Sequence, residues 1–106
     1  MNIQQYVNNI LCVPVTRAGN RLIVESIEIV LDTQDSKFYG KLSEATGIST
    51  RRLEKLIRDA KNLGLSYMNP ELQKRIFPTG QCPKNSTYIL QASDYYRRNY
   101  ENKEEG

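Results

Sequence analysis

The sequence predicts an all-α protein of about six helices around a central helix-turn-helix. Two observations predict this fold class: apolar residues recur at three- and four-residue intervals along most of the chain, and no segment shows the two-residue alternation of a half-buried strand. A chain of 106 residues has the size of one domain with one modest core. We therefore expect residues 1–100 to fold as a single helical domain and residues 101–106 to form an acidic flexible tail.

The first two helices are predicted by their apolar spacing. The first covers residues 2–12, and Pro14 and Gly19 then interrupt the pattern. Asn20 is a residue type that caps helices well, so we expect the second helix to begin there. The apolar stripes of the two helices are Ile3, Tyr6, Val7, Ile10 and Leu11, and then Leu22, Ile23, Ile27, Val30 and Leu31.

The third and fourth helices are separated by a few residues only. The third is predicted to begin at Asp35 or Ser36 and to end at Gly47. The fourth covers residues 49–63, begins near Ser49, and is expected to end with Gly64 as a left-handed cap. Its apolar face holds Leu53, Leu56, Ile57, Ala60 and Leu63, whereas the opposite face holds Arg51, Lys55, Arg58 and Asn62.

The last two helices are predicted by their start signals. Asn69 followed by Pro70 marks the beginning of a short fifth helix that ends near Ile76. After the loop "FPTGQCPKN", Ser86 is predicted to cap a final helix that extends through Tyr100.

The connection between the third and fourth helices has the composition of a helix-turn-helix. Gly47 is able to adopt a positive φ in the tight turn, and Ile48 is placed to fill the angle between the helices. Leu53 and Ile57 then fix the second helix against the first. In a DNA-binding helix-turn-helix, this second helix enters the major groove.

The charge distribution favours an anionic partner. The formal net charge is +3, and the 37–61 segment alone contains seven Lys and Arg against three acidic residues, an excess of four. Such asymmetry points first to nucleic acid, with an acidic protein or a membrane surface as alternatives. A solvated basic helix face without any partner is the remaining interpretation.

Enzymatic functions and cofactors are not predicted. The chain contains no His, no Gly-rich phosphate loop and no paired carboxylates, so it lacks the usual general base and nucleotide-binding motifs. Cys12 and Cys82 are not spaced as metal ligands, and no signal peptide is visible, so we expect reduced thiols in a cytoplasmic protein. The run "LIVESIEIVL" is too short for a membrane span.

The chain resembles the DNA-binding effector domain of the sporulation master response regulator, stage-zero sporulation protein A. The likeness lies in "TRRLEKLIRDA", in "CPKNSTYILQASDYYR", and in "ILCVP" followed by Gly19 and "IVESIEIVL", and it covers about residues 5–98. The resemblance implies an all-helical domain with a central helix-turn-helix. No phosphoacceptor domain accompanies it in this sequence, so we expect constitutive binding, or control by protein amount or by another protein.

The resemblance implies that Glu54, Lys55 and Arg58 meet base edges of the DNA, and the helix periodicity adds Arg51 to the same face. Lys55 stands where the family typically has Arg, so the operator is expected to differ, because an ammonium cannot form the bidentate contact of a guanidinium. The residues expected to contact phosphates are Lys41, Ser49, Thr50, Arg52, Lys61, Lys84 and Ser86.

These patterns predict a sequence-specific DNA-binding protein, a small transcriptional regulator or excision protein of the type carried by phages and mobile elements. The alternative is an anti-regulator that mimics the sporulation domain and binds a host regulator or RNA polymerase without touching DNA. On DNA we expect a second copy about one helical turn away, and a monomer in free solution. Tyr95, Tyr96 and Tyr100, beside Arg97 and Arg98, are the expected interface between copies.

Overall fold

The computed structural model describes residues 1–35, 37–80 and 82–101. All regular elements in these ranges are helices, six in number, so the predicted all-α class is confirmed. They are α1 (Ile3–Gln5, continued by a π turn over Tyr6–Ile10), α2 (Ala18–Thr33), α3 (Phe38–Thr46), α4 (Thr50–Tyr67), α5 (Pro70–Ile76) and α6 (Asn85–Tyr96, continued by a π turn over Arg97–Glu101). The predicted acidic tail lies outside the described residues except for Glu101, which belongs to the last turn.

The core is built around α2, which contacts α1, α3, α4 and α6. The predicted apolar stripes face this core, because helical periodicity places them on one side of each helix. Side chains that lose all exposure include Ile23 and Ile27 of α2, Leu53 and Ile57 of α4, and Tyr88 and Ile89 of α6.

The beginning of α2 differs from the prediction. The helix begins at Ala18, so Gly19 lies within its first turn and Asn20 is not the cap. A Cβ atom on Gly19 would lie 2.3 Å from the carbonyl oxygen of Leu56 and 2.5 Å from the Cβ of Ala60. Glycine is therefore needed here because the backbones of α2 and α4 touch, and not because a loop breaks the helix.

Asn20 has a structural role that its residue type alone does not reveal. Its side chain is buried and donates hydrogen bonds to the carbonyl oxygen of Val13 at 3.0 Å and to Oδ1 of Asn8 at 2.9 Å, while its own Oδ1 accepts one from Gln4 at 2.9 Å. These bonds attach α1 and the following loop to α2.

Gly64 was expected to end α4, and this prediction is wrong. The helix continues to Tyr67, and Gly64 is buried within it. A Cβ atom on Gly64 would lie 2.7 Å from the carbonyl oxygen of Leu11 and 2.8 Å from a methyl group of Val13. A close approach of the segment after α1 therefore explains this glycine, and its conformation is ordinary helix.

Two other helix starts are shifted and one is confirmed. The third helix begins at Phe38, with Lys37 in the cap position and Oδ1 of Asp35 accepting a hydrogen bond from the Lys37 amide at 2.8 Å; the alternative start, Ser36, lies outside the described residues. Helix α6 begins at Asn85 with Lys84 at the cap position, so Ser86 is not the cap. Asn69 does cap α5, because its side chain accepts from the Glu71 amide at 2.8 Å.

The turn between α3 and α4 has the predicted conformation. Gly47 adopts a left-handed conformation with φ of 72°, and Ser49 caps α4 by accepting a hydrogen bond from the Arg52 amide at 3.3 Å. Ile48 is half-buried, and its carbonyl oxygen accepts a hydrogen bond from the Ser43 hydroxyl at 2.7 Å. The turn is thus held by hydrogen bonds on both sides.

The tyrosines at the end of α6 pack inward more than expected. Tyr96 is buried, and Tyr95 and Tyr100 are half-buried. The ring centroids of Tyr96 and Tyr100 lie 5.1 and 5.5 Å from that of Tyr6, whose hydroxyl donates to the Ala92 carbonyl at 2.8 Å. This cluster ties α6 to α1, which leaves less tyrosine surface for contact with a second copy.

Candidate nucleic-acid interface

The outward face of α4 collects the residues predicted to contact bases. Arg51, Glu54, Lys55 and Arg58 are all exposed, and together with Ser49 and Arg52 they line a surface depression of ≈ 480 Å³. The opposite side of the helix is buried, so the fold fixes which side chains point to solvent. We call this surface, formed by Ser49, Arg51, Arg52, Glu54, Lys55 and Arg58, the basic face.

The cations of the basic face are not neutralised by neighbouring carboxylates. Among the described residues, no ion pair joins Arg51, Arg52, Lys55 or Arg58 to Glu54 or Asp59, although helical spacing brings some of these side chains close. Ion pairs of this local type do form elsewhere, between Arg21 and Glu25 at 3.3 Å and between Arg98 and Asp94 at 3.0 Å. The four cations of the basic face therefore form no ion pair with a described residue.

The residues predicted to contact phosphates fall into two groups. Thr50 and Arg52 are exposed in the first turn of α4, beside the capping Ser49, and Lys41 is exposed on α3. Lys84 and Ser86 are exposed at the start of α6. All of these side chains are accessible to a ligand in solution.

Lys61 is the exception, and its assignment as a phosphate contact needs correction. The residue is only 4% exposed, and its Nζ donates a hydrogen bond to the carbonyl oxygen of Pro83 at 2.7 Å. Burial lowers the pKa of this ammonium, Cys82 acts in the opposite direction, and Arg58 lowers it further. Lys61 therefore has a structural role, since its hydrogen bond attaches the loop before α6 to α4.

Asn85 is a residue of this region whose role the sequence did not predict. Its side-chain Nδ2 donates a hydrogen bond to the carbonyl oxygen of Glu54 at 2.8 Å, across 31 positions of sequence. This bond brings the start of α6 against the N-terminal half of α4. Only its position beside Lys84 and Ser86 in the chain could have drawn attention to it, because an Asn before a helix is usually read as a cap.

Other kinds of site find no support in the part of the chain that the structure describes. No group of three or more His, Cys, Asp or Glu residues there could hold a metal ion, and both cysteines are unpaired thiols. None of the described helices combines the length and the apolar character that crossing a bilayer requires.

Comparison with protein-family models finds no match for this chain, and comparison with curated proteins finds none either. The resemblance to the sporulation effector domain therefore rests on the sequence segments in which it was found.

Proposed function

We propose that this protein binds double-stranded DNA in a sequence-specific manner and acts as a small transcriptional regulator of the phage or mobile-element type. The observation that supports this most is the basic face, an exposed row of cations without an ion pair to any described residue, on the helix that follows a short, hydrogen-bonded turn. A helix face that only contacts solvent does not require cations of one sign in a row. The phosphates and base edges of DNA carry the negative charge and the acceptors that such a row would bind.

The dimensions of α4 suit the DNA major groove. The helix contains 18 residues and is therefore about 27 Å long. The major groove is about 12 Å wide and admits one helix, and the N-terminal part of the second helix in a helix-turn-helix contacts the bases. Arg51, Lys55 and Arg58 lie in that part and share one side, so they would face the floor of the groove together.

Each side chain of the basic face has a distinct role in this proposal. The guanidinium groups of Arg51 and Arg58 would each donate two hydrogen bonds to one guanine. The Lys55 ammonium would act as a single donor. Glu54 carries no ion pair with a described residue, so its carboxylate is available to accept from the amino group of a cytosine. The preferred site would therefore contain several G·C pairs.

The surrounding exposed residues would fix the protein on the DNA backbone. Arg52 and the hydroxyls of Ser49 and Thr50 lie at the start of α4, which would enter the groove first, while Lys41 lies on α3 and Lys84 lies directly before α6. Contacts of this kind orient a protein but carry no sequence information. Lys61 is excluded from this set because its ammonium is bound to Pro83.

The test begins with selection of bound fragments from random duplex DNA, followed by affinity measurements on the selected site and on unrelated DNA. We expect Arg58→Ala to weaken binding to the selected site by roughly 1 to 3 kcal/mol and to have a much smaller effect on unrelated DNA. Arg75→Ala, which removes the same charge from the exposed surface of α5, is the matched control.

The outcomes separate the two functions considered for this chain. Equal losses on both DNAs would make Arg58 a phosphate contact. The absence of salt-dependent binding to any duplex would contradict the proposal and favour a protein-interaction module that does not use DNA.

A further inference from the structure

Residues 82–84 and Asn85, the first residue of α6, run along the side of α4 and are attached to it at three points. The Cys82 thiol lies 3.7 Å from Oδ1 of Asn62, the Pro83 carbonyl accepts from Lys61 at 2.7 Å, and the Asn85 side chain donates to the Glu54 carbonyl at 2.8 Å. The contacts move toward the start of α4 as the segment proceeds. The segment is therefore antiparallel to the helix.

This arrangement determines where Lys84 lies. Glu54 and Lys61 are seven positions apart, which corresponds to about two helical turns on the same side of α4. Arg58 lies between them, four positions after Glu54 and three before Lys61. Because Pro83 and Asn85 are bound to the two ends of this interval, the backbone of Lys84 lies along the stretch of α4 that contains Arg58.

Several charges around this stretch of α4 are positive. Arg58 is close enough to Lys61 to contribute to the lowering of its pKa. Lys84 and Arg58 are both exposed, and neither is paired with a carboxylate of the described residues. The tethered segment thus adds a second exposed cation to the stretch of α4 that carries Arg58, and an anion bound there would be attracted by both.

We propose that Lys61 and Asn85 are positioning residues, which hold Lys84 next to Arg58 so that the two contact adjacent parts of the same DNA. Lys84 would bind a backbone phosphate while Arg58 reads the neighbouring base. This inference rests on the proposed DNA binding. The two side chains act through Lys84 and do not themselves touch the nucleic acid.

The presence of a buried ammonium at position 61 supports this role. Burying a cation is unfavourable unless it is well paired, and an apolar side chain of similar size would fill the same space at a lower cost. An apolar side chain could not, however, bind the Pro83 carbonyl. The ammonium therefore adds a directed contact that specifies the path of the segment carrying Lys84.

The test is a double-mutant cycle in which the salt dependence of DNA binding is measured. Lys84→Ala should lower the slope of log affinity against log salt by about one unit. Asn85→Ala removes no charge, yet we expect it to lower the slope by nearly the same amount, because a released Lys84 no longer stays on the phosphate. The double variant should lose little more than either single variant.

Two further variants control this cycle. Asn9→Ala makes the same substitution at an exposed position of α1 and should leave the slope unchanged. Lys61→Met removes the other tether and should reproduce the loss seen in Asn85→Ala. Thermal unfolding of each variant shows whether it folds, and Asn85 is only half-buried, so its variant retains the core.

The outcomes distinguish this inference from the function on which it rests. If the wild-type protein binds DNA with a steep salt slope and Asn85→Ala leaves that slope unchanged, or if the two losses add, the positioning role is wrong while DNA binding stands. If the wild-type protein binds no duplex, both proposals fail.

Discussion

The two faces of α4 obey different constraints. On the inner face, Leu53 and Ile57 are completely buried, and Leu56 and Ala60 would collide with any side chain added at Gly19 of α2. On the outer face, Arg51, Lys55 and Arg58 extend into solvent without an ion pair to any described residue.

This contrast separates what folding requires from what it leaves free. A fully buried Leu or Ile side chain contributes roughly 1.5 to 3 kcal/mol to stability, whereas exposed charges contribute close to nothing. The side chains of the inner face are thus restricted in size and shape by the residues packed against them. The outer face is not needed for the fold, and its concentration of one charge sign calls for a functional explanation.

The largest effect is expected at the contact between α2 and α4. Gly19→Ala would place a methyl group 2.3 Å from the Leu56 carbonyl oxygen, and because this is a backbone atom, the two helices must move apart. We expect a loss of about 2 to 3 kcal/mol in the free energy of unfolding, measured by urea denaturation.

Gly40 provides the matched control for this substitution. It lies in α3, is exposed, and has no atom within 4 Å of the position that an added methyl group would occupy. Gly40→Ala should therefore stabilise the protein by about 0.5 to 1 kcal/mol through helix propensity. If both variants lost stability equally, the close approach of α2 and α4 would not be the cause.

An increase in pH should lower the free energy of unfolding, because several tyrosines are buried in the folded protein. Burial raises the pKa of Tyr6 and of Tyr88 above the ordinary value of 10.0, with the neighbouring tyrosines adding to the effect at Tyr6 and Cys12 at Tyr88. Above pH 10 the unfolded chain loses these protons and the folded protein keeps them. Stability is therefore fully present below pH 10 and falls as the pH rises further, by about 1.4 kcal/mol per pH unit for each tyrosine.

Lys61 has the opposite effect near pH 10, because its pKa in the folded protein is lowered below 10.5. As the pH rises toward 10.5, the folded protein loses this proton before the unfolded chain does, so the contribution of Lys61 to stability increases. The measurement is urea denaturation between pH 9 and pH 12. Tyr88→Phe should make the decline clearly less steep while changing stability little at pH 7, since the Tyr88 hydroxyl has no hydrogen-bond partner among the described residues. A decline of the same steepness in this variant would contradict the assignment.

The smallest effect on stability is expected on the basic face. Replacement of Arg51, Arg52, Lys55 and Arg58 together by Gln should change the free energy of unfolding by less than about 0.5 kcal/mol, because all four residues are exposed. The same variant should lose measurable binding to DNA. A large loss of stability would show that the outer face takes part in folding, and the contrast between the faces would no longer hold.

Local signals in the sequence predicted much of the fold and which side chains of α4 are exposed. The inner and outer faces of α4 followed from the spacing of Leu53, Ile57 and Arg58, and the turn followed from Gly47 and Ser49. These predictions succeeded because helix periodicity and cap chemistry depend on residues within four or five positions of one another.

Three of the wrong predictions share a different cause. Gly64 resembled a C-terminal cap, Asn20 an N-terminal cap and Lys61 a surface cation, and each residue type does favour those positions. In the protein all three are buried against segments distant in sequence: Leu11 and Val13 for Gly64, Asn8 and Val13 for Asn20, and Pro83 for Lys61.

The sequence by itself determined that this chain is helical, which side of α4 is apolar, and that the opposite side is cationic. Only the tertiary structure decided that Gly19 and Gly64 permit close contacts between segments, and that Lys61 and Asn85 attach the segment around Lys84 to α4. The reason is physical: periodicity and capping are short-range properties of one helix, whereas the space and the hydrogen-bond partners available to a side chain depend on which distant segment packs against it.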